Sequence, residues 1–406
     1  MAADLADRVA ALPGMPAVLP ALDGLAPTYL VGGAVRDLLR GERATDLDLA
    51  VEGDAGAVAG ALAARLDGSS VAHERFGTAT VRAPAASLDL ASTRRERYAV
   101  PGALPDVEPA GIEEDLGRRD FTVSAMAVGL NGDEAGRLRD PAGGSGDLSA
   151  AAIRVLHERS FLDDPTRLLR ALRYEARLGF ALDPMTAQLF VEATRGGAVQ
   201  TVSGARVRDE LMDLLSEHEA PAAVARMRDL GLARALHPSL RADPDVVAGA
   251  ALASMETGAD RALAGLAALC SGAPEEAAAF VARLSLPAPS RDAALRAARR
   301  GPVLASALRG ERRDSELHLL LSPEPPESLA LALALGAPAA PVLRFVSNLR
   351  GVRLEITGGD LLAAGVAQSP ALGRALEGTL RRKLDGEITG RDEELRTAVD
   401  LARGAR

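Results

Sequence analysis

The chain has no tryptophan, three tyrosines and seven phenylalanines among 406 residues, one cysteine (Cys270) and one lysine (Lys383). With aromatics at 2%, its cores must be packed from alanine, leucine and valine, which suits helices better than sheets. Stacking on a long run of unpaired bases is disfavoured for the same reason. One cysteine excludes an intrachain disulfide and any cysteine-built zinc or iron–sulfur site. The five histidines, His73, His157, His218, His237 and His318, are scattered and show no H-E-x-x-H spacing, which argues against a histidine-rich metal centre. No apolar run is long enough to span a bilayer; the most apolar stretch, 329–342, is interrupted by Gly336, Pro338 and Pro341. The amino terminus has neither the basic start nor the apolar stretch of a signal peptide. These absences predict a soluble cytoplasmic protein with no membrane partner. Hydrophobic residues at 48% exclude a disordered chain. At roughly 100–200 residues per domain the length allows two to four domains.

Net charge is −9, so the surface as a whole repels nucleic acid. Only the local field at a contact surface matters, however. The segment from about Pro341 carries 11 basic and 9 acidic residues, a local excess of positive charge in an otherwise acidic chain.

The first 150 residues alternate short strand-like and helix-like segments. Residues 28–31 read as a strand, Gly32-Gly33 as a turn, 34–40 as a helix, 46–51 as a strand with period two, and 55–66 as a helix. Residues 78–82 and 88–91 read as further strands. Beyond about Asp163 the pattern is helical, for example over 206–215 and 250–269. The stretch 218–340 is alanine-rich, with helices parted by proline-containing joints and no clean repeat. The fold class expected is α+β, a mixed-sheet head followed by an all-α remainder.

Four clusters carry chemistry. The first is Val31-Gly-Gly-Ala-Val-Arg-Asp37, where a glycine pair between strand and helix lets the backbone approach a ligand and the helix N-terminus offers N–H groups to an anion. An ordinary tight turn would look the same. The second is Asp46-x-Asp48, 13 residues after Gly33. On a strand these carboxylates share a face, a pairing suited to a hard divalent cation such as Mg²⁺, with Asp89 on another strand as a third. The third cluster is Arg118-Arg-Asp-Phe-Thr122. The fourth, Asp163-Asp-Pro-Thr-Arg-Leu-Leu-Arg-Ala-Leu-Arg173, places Pro165 in a first helical turn with Asp164 as N-cap. Asp164, Arg167 and Arg170 then share one broad face, while Arg173 has rotated away. Taken singly, each cluster also fits a solvated or capped surface element.

In this order, and with Asp89-Leu-Ala-Ser-Thr-Arg94, Arg206-Val-Arg-Asp-Glu-Leu211 and Leu354-Glu-Ile-Thr-Gly-Gly-Asp-Leu-Leu362, the clusters resemble the class II tRNA nucleotidyltransferases, which comprise CCA-adding enzymes and bacterial poly(A) polymerases. The resemblance is dense over about 28–215 and resumes near 354–362. It implies a polymerase-beta-like nucleotidyltransferase head over 1–150, a neck over 151–217, a helical body over 218–340 and a helical, tRNA-binding tail over 341–406. It implies that Asp46 and Asp48 bind Mg²⁺, with Asp89 a third catalytic carboxylate. Gly32, Gly33, Arg36 and Arg119 would hold the nucleotide, Arg170 and Arg173 would lie near the phosphates, and Asp164 with Arg167 would read the base. The activity implied is addition of CMP and AMP from CTP and ATP to the tRNA 3′ end, without a nucleic-acid template and with release of pyrophosphate. CC-only or A-only addition, poly(A) synthesis and a catalytically dead RNA-binding protein are the alternatives. The segment 94–105 sits where the family keeps a loop linked to the switch from C to A, and its length favours the full activity. Two departures from the family pattern are Ser124, where asparagine is usual, and Asp163, where glutamate is usual.

Overall fold

The computed structural model describes residues 2–42, 44, 47–73 and 77–404, so the Asp46 assignment lies outside the described residues. Two compact units are formed, one by 1–207 with 230–235 and the other by 208–229 with 236–406.

The first unit is built on a seven-stranded mixed sheet. Its strands are β1 (Thr28–Val31), β2 (Asp48–Val51), β3 (Ser69–His73), β4 (Thr78–Arg82), β5 (Ser87–Ser92), β8 (Ala127–Gly129) and β9 (Leu138–Arg139), in the order β3-β4-β5-β2-β1-β8-β9. Between β5 and β8, β6 (Arg94–Arg97) and β7 (Asp106–Pro109) form a separate antiparallel ribbon. Within the large sheet β2 and β5 run parallel, and the other described pairings are antiparallel.

The central strands are buried on both faces, which is why β1 reads as an uncharged run rich in β-formers. Leu30, Leu49, Val51, Leu88 and Leu90 belong to the core cluster on one face, with Val35, Val58 and Leu62 from the helices Gly33–Arg40 and Ala55–Arg65. Tyr29, Val31 and Ala50 belong to the cluster on the other, with Ile112 and Leu116 of the helix Ile112–Gly117. Alternation therefore puts Asp48 on the face of Ala50, and Asp89 on the face opposite Leu88 and Leu90. The expected strand 46–51 is observed from Asp48.

The second unit is helical. Its alanine content has a packing reason: small residues let helix backbones approach closely. A Cβ on Gly249 would lie 3.0 Å from Ala334 Cα, and one on Gly301 would lie 2.7 Å from Leu331 Cγ. Over 250–269, where helical spacing runs throughout the sequence, two helices form instead, Pro244–Thr257 and Arg261–Cys270. Gly258 takes φ 74°, and Asp260 caps the second helix by accepting the Leu263 N–H. Cys270 is buried, and burial pushes its thiol up to about 12. No helix among the described residues is long and apolar enough to cross a membrane.

Residue 341 does not mark a break in packing. Val342, Phe345, Leu349 and Leu384 share a core cluster with Leu304, Leu308, Leu317 and Leu321, and the Asp385 carboxylate accepts Ser315 N–H and O–H at 2.8 Å each. A smaller cluster of Ile356, Leu361, Ala375, Ala398 and Ala402 follows.

Candidate active site

The first and fourth sequence clusters converge on one cleft of about 510 Å³ in the first unit. Gly32 opens it. Its backbone, at φ 67° and ψ −131°, sits where side chains are strongly disfavoured, and a Cβ there would lie 3.2 Å from Arg119 Nη1. The helix Gly33–Arg40 starts at this turn and directs Arg36 into the wall. Arg36 is 5% exposed, and its Nε donates to Asp37 Oδ1 at 2.8 Å.

Arg118 and Arg119 form the opposite wall. Both are held by Asp115, which belongs to none of the four sequence clusters. Asp115 is 1% exposed. Its Oδ1 accepts Arg118 Nε at 2.9 Å, Arg118 Nη2 at 2.8 Å and the Arg94 N–H at 3.2 Å, and its Oδ2 accepts Arg119 Nη2 at 3.0 Å. One buried carboxylate thus fixes two guanidiniums at the cleft and the first residue of β6. That strand carries Glu96, which with Tyr98 just beyond it also lines the cleft. Glu96 accepts Arg118 Nη1 at 3.0 Å and the Tyr98 hydroxyl at 2.8 Å. Burial, and then the Glu96 carboxylate, push the Tyr98 phenol well above its ordinary value.

The neck helix begins at Arg167 with Thr166 at its N-cap, so Asp164 is not the cap expected from the sequence; it lies two residues earlier, where its Oδ1 accepts the Thr166 N–H at 3.0 Å. The same oxygen accepts the Thr166 hydroxyl at 2.6 Å and Arg206 Nη2 at 2.8 Å, while Oδ2 accepts Arg170 Nη2 at 2.9 Å. Burial alone would raise the Asp164 pKa. Arg170, the Thr166 hydroxyl and Arg206 outweigh it and hold the carboxyl below its ordinary value of 3.8. Arg206, from the motif 206–211, is committed to this carboxylate. It also donates Nη1 to the Gly102 carbonyl at 3.2 Å.

Arg167 is 2% exposed. It donates Nε to Asp120 Oδ1 at 3.1 Å, Nη1 to the Ser160 carbonyl at 3.4 Å and Nη2 to the Arg118 carbonyl at 2.7 Å. Asp120 also accepts Arg170 Nη2 at 2.9 Å, so it ties the third cluster to the fourth. Asp164 and Arg167 both line the cleft, and the Arg167 backbone N–H donates to the Asp164 carbonyl at 3.0 Å.

Of the two departures from the family pattern, Ser124 lines the cleft, whereas Asp163 is ion-paired with Arg159 at 3.1 Å and is not among the lining residues. Arg173 is also outside the lining, its guanidinium 5.4 Å from the centre of the Tyr174 ring.

Asp48 lines the cleft and a neighbouring cavity of about 370 Å³ that also contains Asp89. The parallel β2–β5 register makes Asp48 and Asp89 Cα partners, and Thr80 faces Asp89 across β4 with its hydroxyl 2.7 Å from Asp89 Oδ1. Two hard oxygen donors on one sheet face, beside a cleft lined by six arginines, fit a divalent cation that itself carries phosphates. Among the described residues no three histidine, cysteine or carboxylate side chains form a complete metal cluster.

A family model described as "Poly A polymerase head domain" matches residues 28–154, and one described as "Probable RNA and SrmB- binding site of polymerase A" matches residues 179–243. The CC-adding tRNA nucleotidyltransferase of Deinococcus radiodurans is 34% identical over 93% of this chain and 89% of its own length. The chain belongs to the tRNA nucleotidyltransferase and poly(A) polymerase family. The A-adding tRNA nucleotidyltransferase of Geobacter sulfurreducens is 37% identical over 93% of the chain, which spans 46% of that protein; other A-adding members are matched over about half their length or less. Among solved members of the family, the Thermotoga maritima CCA-adding enzyme complexed with tRNA aligns with a TM-score of 0.72 at 29% identity, covering 94% of this chain and 92% of that one. The mixed-sheet unit is therefore the family's polymerase-beta-like head, and the expected α+β class is observed.

Asp115 yields a testable consequence for this family member. Asp115→Asn keeps the shape but removes the charge that orients Arg118 and Arg119. With a charge-assisted bond contributing about 1.5–3 kcal/mol, the KM for CTP is expected to rise at least tenfold and the KM for tRNA much less. Steady-state kinetics varying each substrate in turn would show a lower apparent kcat with both KM values unchanged if Asp115 only supported the fold.

Proposed function

We propose that the chain adds CMP and AMP from CTP and ATP to the 3′ end of tRNA without a nucleic-acid template, releasing pyrophosphate. The observation that carries this reading is the joining of an arginine-walled cleft to a carboxylate–guanidinium pair, Asp164 and Arg167, fixed by Thr166, Arg206 and Asp120.

The pair can select bases by its unused valences. Asp164 Oδ1 already accepts three hydrogen bonds, while Oδ2 accepts one from Arg170 and keeps a lone pair. Arg167 has five N–H bonds, and its three bonds to protein leave one on each Nη. Cytosine offers an amino donor at N4 beside an acceptor at N3, and adenine offers the same pattern at N6 and N1. Both match one acceptor beside one donor. Uracil and guanine present a carbonyl and an N–H there, the reverse order, leaving buried polar groups unpaired at roughly 1–3 kcal/mol each.

The reaction is in-line attack of the RNA 3′-hydroxyl on the α-phosphorus. The P–O bond to the new nucleotide forms as the bond to pyrophosphate breaks. Arg36, Arg118, Arg119 and Arg170 would orient the triphosphate and balance its charge. Asp48 and Asp89, with Asp46, would hold Mg²⁺. When bound, that ion supplies charge neutralisation and a lowered pKa for the attacking hydroxyl. No histidine or lysine base is required, in keeping with their scarcity.

A second reading, A-only addition, is favoured by one observation: the A-adding relatives are 37–44% identical to this chain over their matched regions, against 34% for the CC-adding one. Against CC-only addition stands the intact β6–β7 ribbon. The direct test is pyrophosphate release from CTP plus ATP with a trimmed tRNA. Release that is absent, or equal with UTP and GTP, contradicts the reading.

Binding of the RNA is expected to depend on the shape and phosphates of the acceptor and T arms rather than on base stacking. Several tail cations are already paired: Lys383 with Glu394 at 2.5 Å and Arg381 with Glu377 at 2.7 Å. Arg374 is exposed and has no ion pair among the described residues. Arg374→Glu is expected to raise the KM for tRNA several-fold and leave that for CTP unchanged, with a shallower salt dependence of tRNA binding. A minihelix of those two arms should serve nearly as well as whole tRNA.

A further inference from the structure

The fourth sequence cluster ends at Arg173, but the face of the neck helix (Arg167–Leu178) that lines the cleft continues past it. Arg167, Arg170, Tyr174 and Arg177 all line the cleft, at spacings of three, four and three residues, which makes one helical stripe. Tyr174 is the uncharged member of that stripe. Neither the reading of the base nor the charge balance of the triphosphate has yet given it a part.

Its ring is held in place. It meets the Phe121 ring edge-on, with centroids 5.7 Å apart and planes at 89°. Phe121 is fully buried and belongs to the cluster Arg118–Thr122, so the ring rests on the segment that supplies Arg118, Arg119 and Asp120 to the cleft. The Arg173 guanidinium lies 5.4 Å from the ring centre. This packing accounts for an aromatic ring and not for its hydroxyl, since phenylalanine would pack as well.

The hydroxyl has no hydrogen-bond partner among the described residues and is not closed off from solvent. Its charged neighbours are Asp120, Arg173, Arg170 and Arg36. Burial, and then Asp120, hold its pKa above the ordinary 10 against the three arginines, so it keeps its proton and remains a donor at neutral pH. Side chains on a helix lean toward its N-terminus, which carries the phenol back toward Arg170. Arg36 reaches the same part of the cleft from the helix that follows Gly32. A further guanidinium there would repel Arg36 and Arg170, whereas a phenol adds a donor without adding charge. Along the helix axis Tyr174 stands seven residues, or about 10 Å, from Arg167 and beyond Arg170. It is thus remote from the base reader and among the groups suited to phosphate.

We propose that the Tyr174 hydroxyl donates a hydrogen bond to the β,γ-phosphates of the bound nucleotide, the part that leaves as pyrophosphate. This rests on the cleft being the nucleotide site. The test is calorimetric titration of the full chain, without tRNA, with CTP and separately with pyrophosphate, each in the presence of Mg²⁺. The parent is compared with Tyr174→Phe, which keeps the ring on Phe121 and removes only the hydroxyl. Both affinities are expected to fall by the same factor, about tenfold, the worth of one hydrogen bond to a charged acceptor. In steady state the KM values for CTP and ATP should rise by that factor, with the KM for tRNA and the preference for CTP over UTP unchanged. A parent that binds neither ligand would overturn the cleft reading and this proposal with it. A parent that binds both, with a variant of equal affinities, would overturn the role of Tyr174 alone. Weaker CTP binding with pyrophosphate binding unchanged would put the hydroxyl on another part of the nucleotide and also overturn the proposal.

Discussion

Replacing Asp48 with alanine is expected to abolish nucleotide addition, by roughly 10³-fold or more, while leaving the fold intact. The size follows from the several kcal/mol that a phosphate-neutralising metal site contributes, at about 1.36 kcal/mol per decade of rate. The fold should tolerate the change because Asp48 is exposed at the first position of β2, before the buried Leu49, Ala50 and Val51. Its side chain sits at the exposed end of the strand and shares a sheet face with Asp89 across the parallel register. Single-turnover assays with CTP and trimmed tRNA, alongside thermal unfolding, check both parts. Turnover within tenfold of the parent at saturating Mg²⁺ would remove Asp48 from the metal site. Asp89→Ala should behave similarly, with a further small change from releasing the Thr80 hydroxyl.

The second large effect is on choice of base. Arg167→Ala is expected to lower the preference for CTP over UTP by about 10–100-fold, since it removes the donor that uracil cannot accept correctly, worth roughly 1–3 kcal/mol. Triphosphate binding should suffer less, because Arg36, Arg118, Arg119 and Arg170 remain in the cleft. Arg167 is buried and bonds Asp120 and two carbonyls, so the variant will also lose stability. The ratio of kcat/KM values for two nucleotides is independent of the fraction folded, which keeps the measurement interpretable. A variant that rejects UTP as strictly as the parent would place base reading elsewhere.

What could be read from the sequence follows from what was local. The strand Thr28–Val31 was legible because it is buried on both faces and therefore uncharged and rich in β-formers. The turn at Gly32 was legible because a glycine pair stood between strand and helix, and its positive φ explains the requirement. The strand Ser69–His73 was not legible: it is exposed along its whole length, so neither alternation nor an apolar run marks it. The β6–β7 ribbon was read as loop for the same reason, its residues being charged and largely outside the core.

At the cleft, the arginines and Asp164 were legible as residue types in motifs, but their couplings were not. Asp120 meets Arg167 and Arg170 across 47 and 50 residues, and Arg206 meets Asp164 across 42. No periodicity reports contacts at such separations. Asp115 was missed because an acidic residue in Ile112-Glu-Glu-Asp-Leu-Gly117 reads as solvent-facing, whereas its helix is turned so that this one carboxylate is buried beneath Arg118 and Arg119. A signal was available: Asp115 stands three and four residues before two adjacent arginines, the spacing at which helical side chains meet.

The proposed function requires that one protein pocket, with no nucleic-acid template, admits cytosine and adenine and supplies them in sequence to a tRNA end. The most direct test offers the enzyme three tRNAs, ending at the discriminator base, at C and at CC, with each of the four nucleotides singly and mixed, and reads the added sequence at the 3′ terminus. The account predicts C and then C on the first two substrates, a single A on the third, and no addition from UTP or GTP. Addition of A to the CC-ending substrate with no C added to the others would make the enzyme A-only. Long adenylate tracts on all three, or on an unstructured oligonucleotide, would contradict the claim outright.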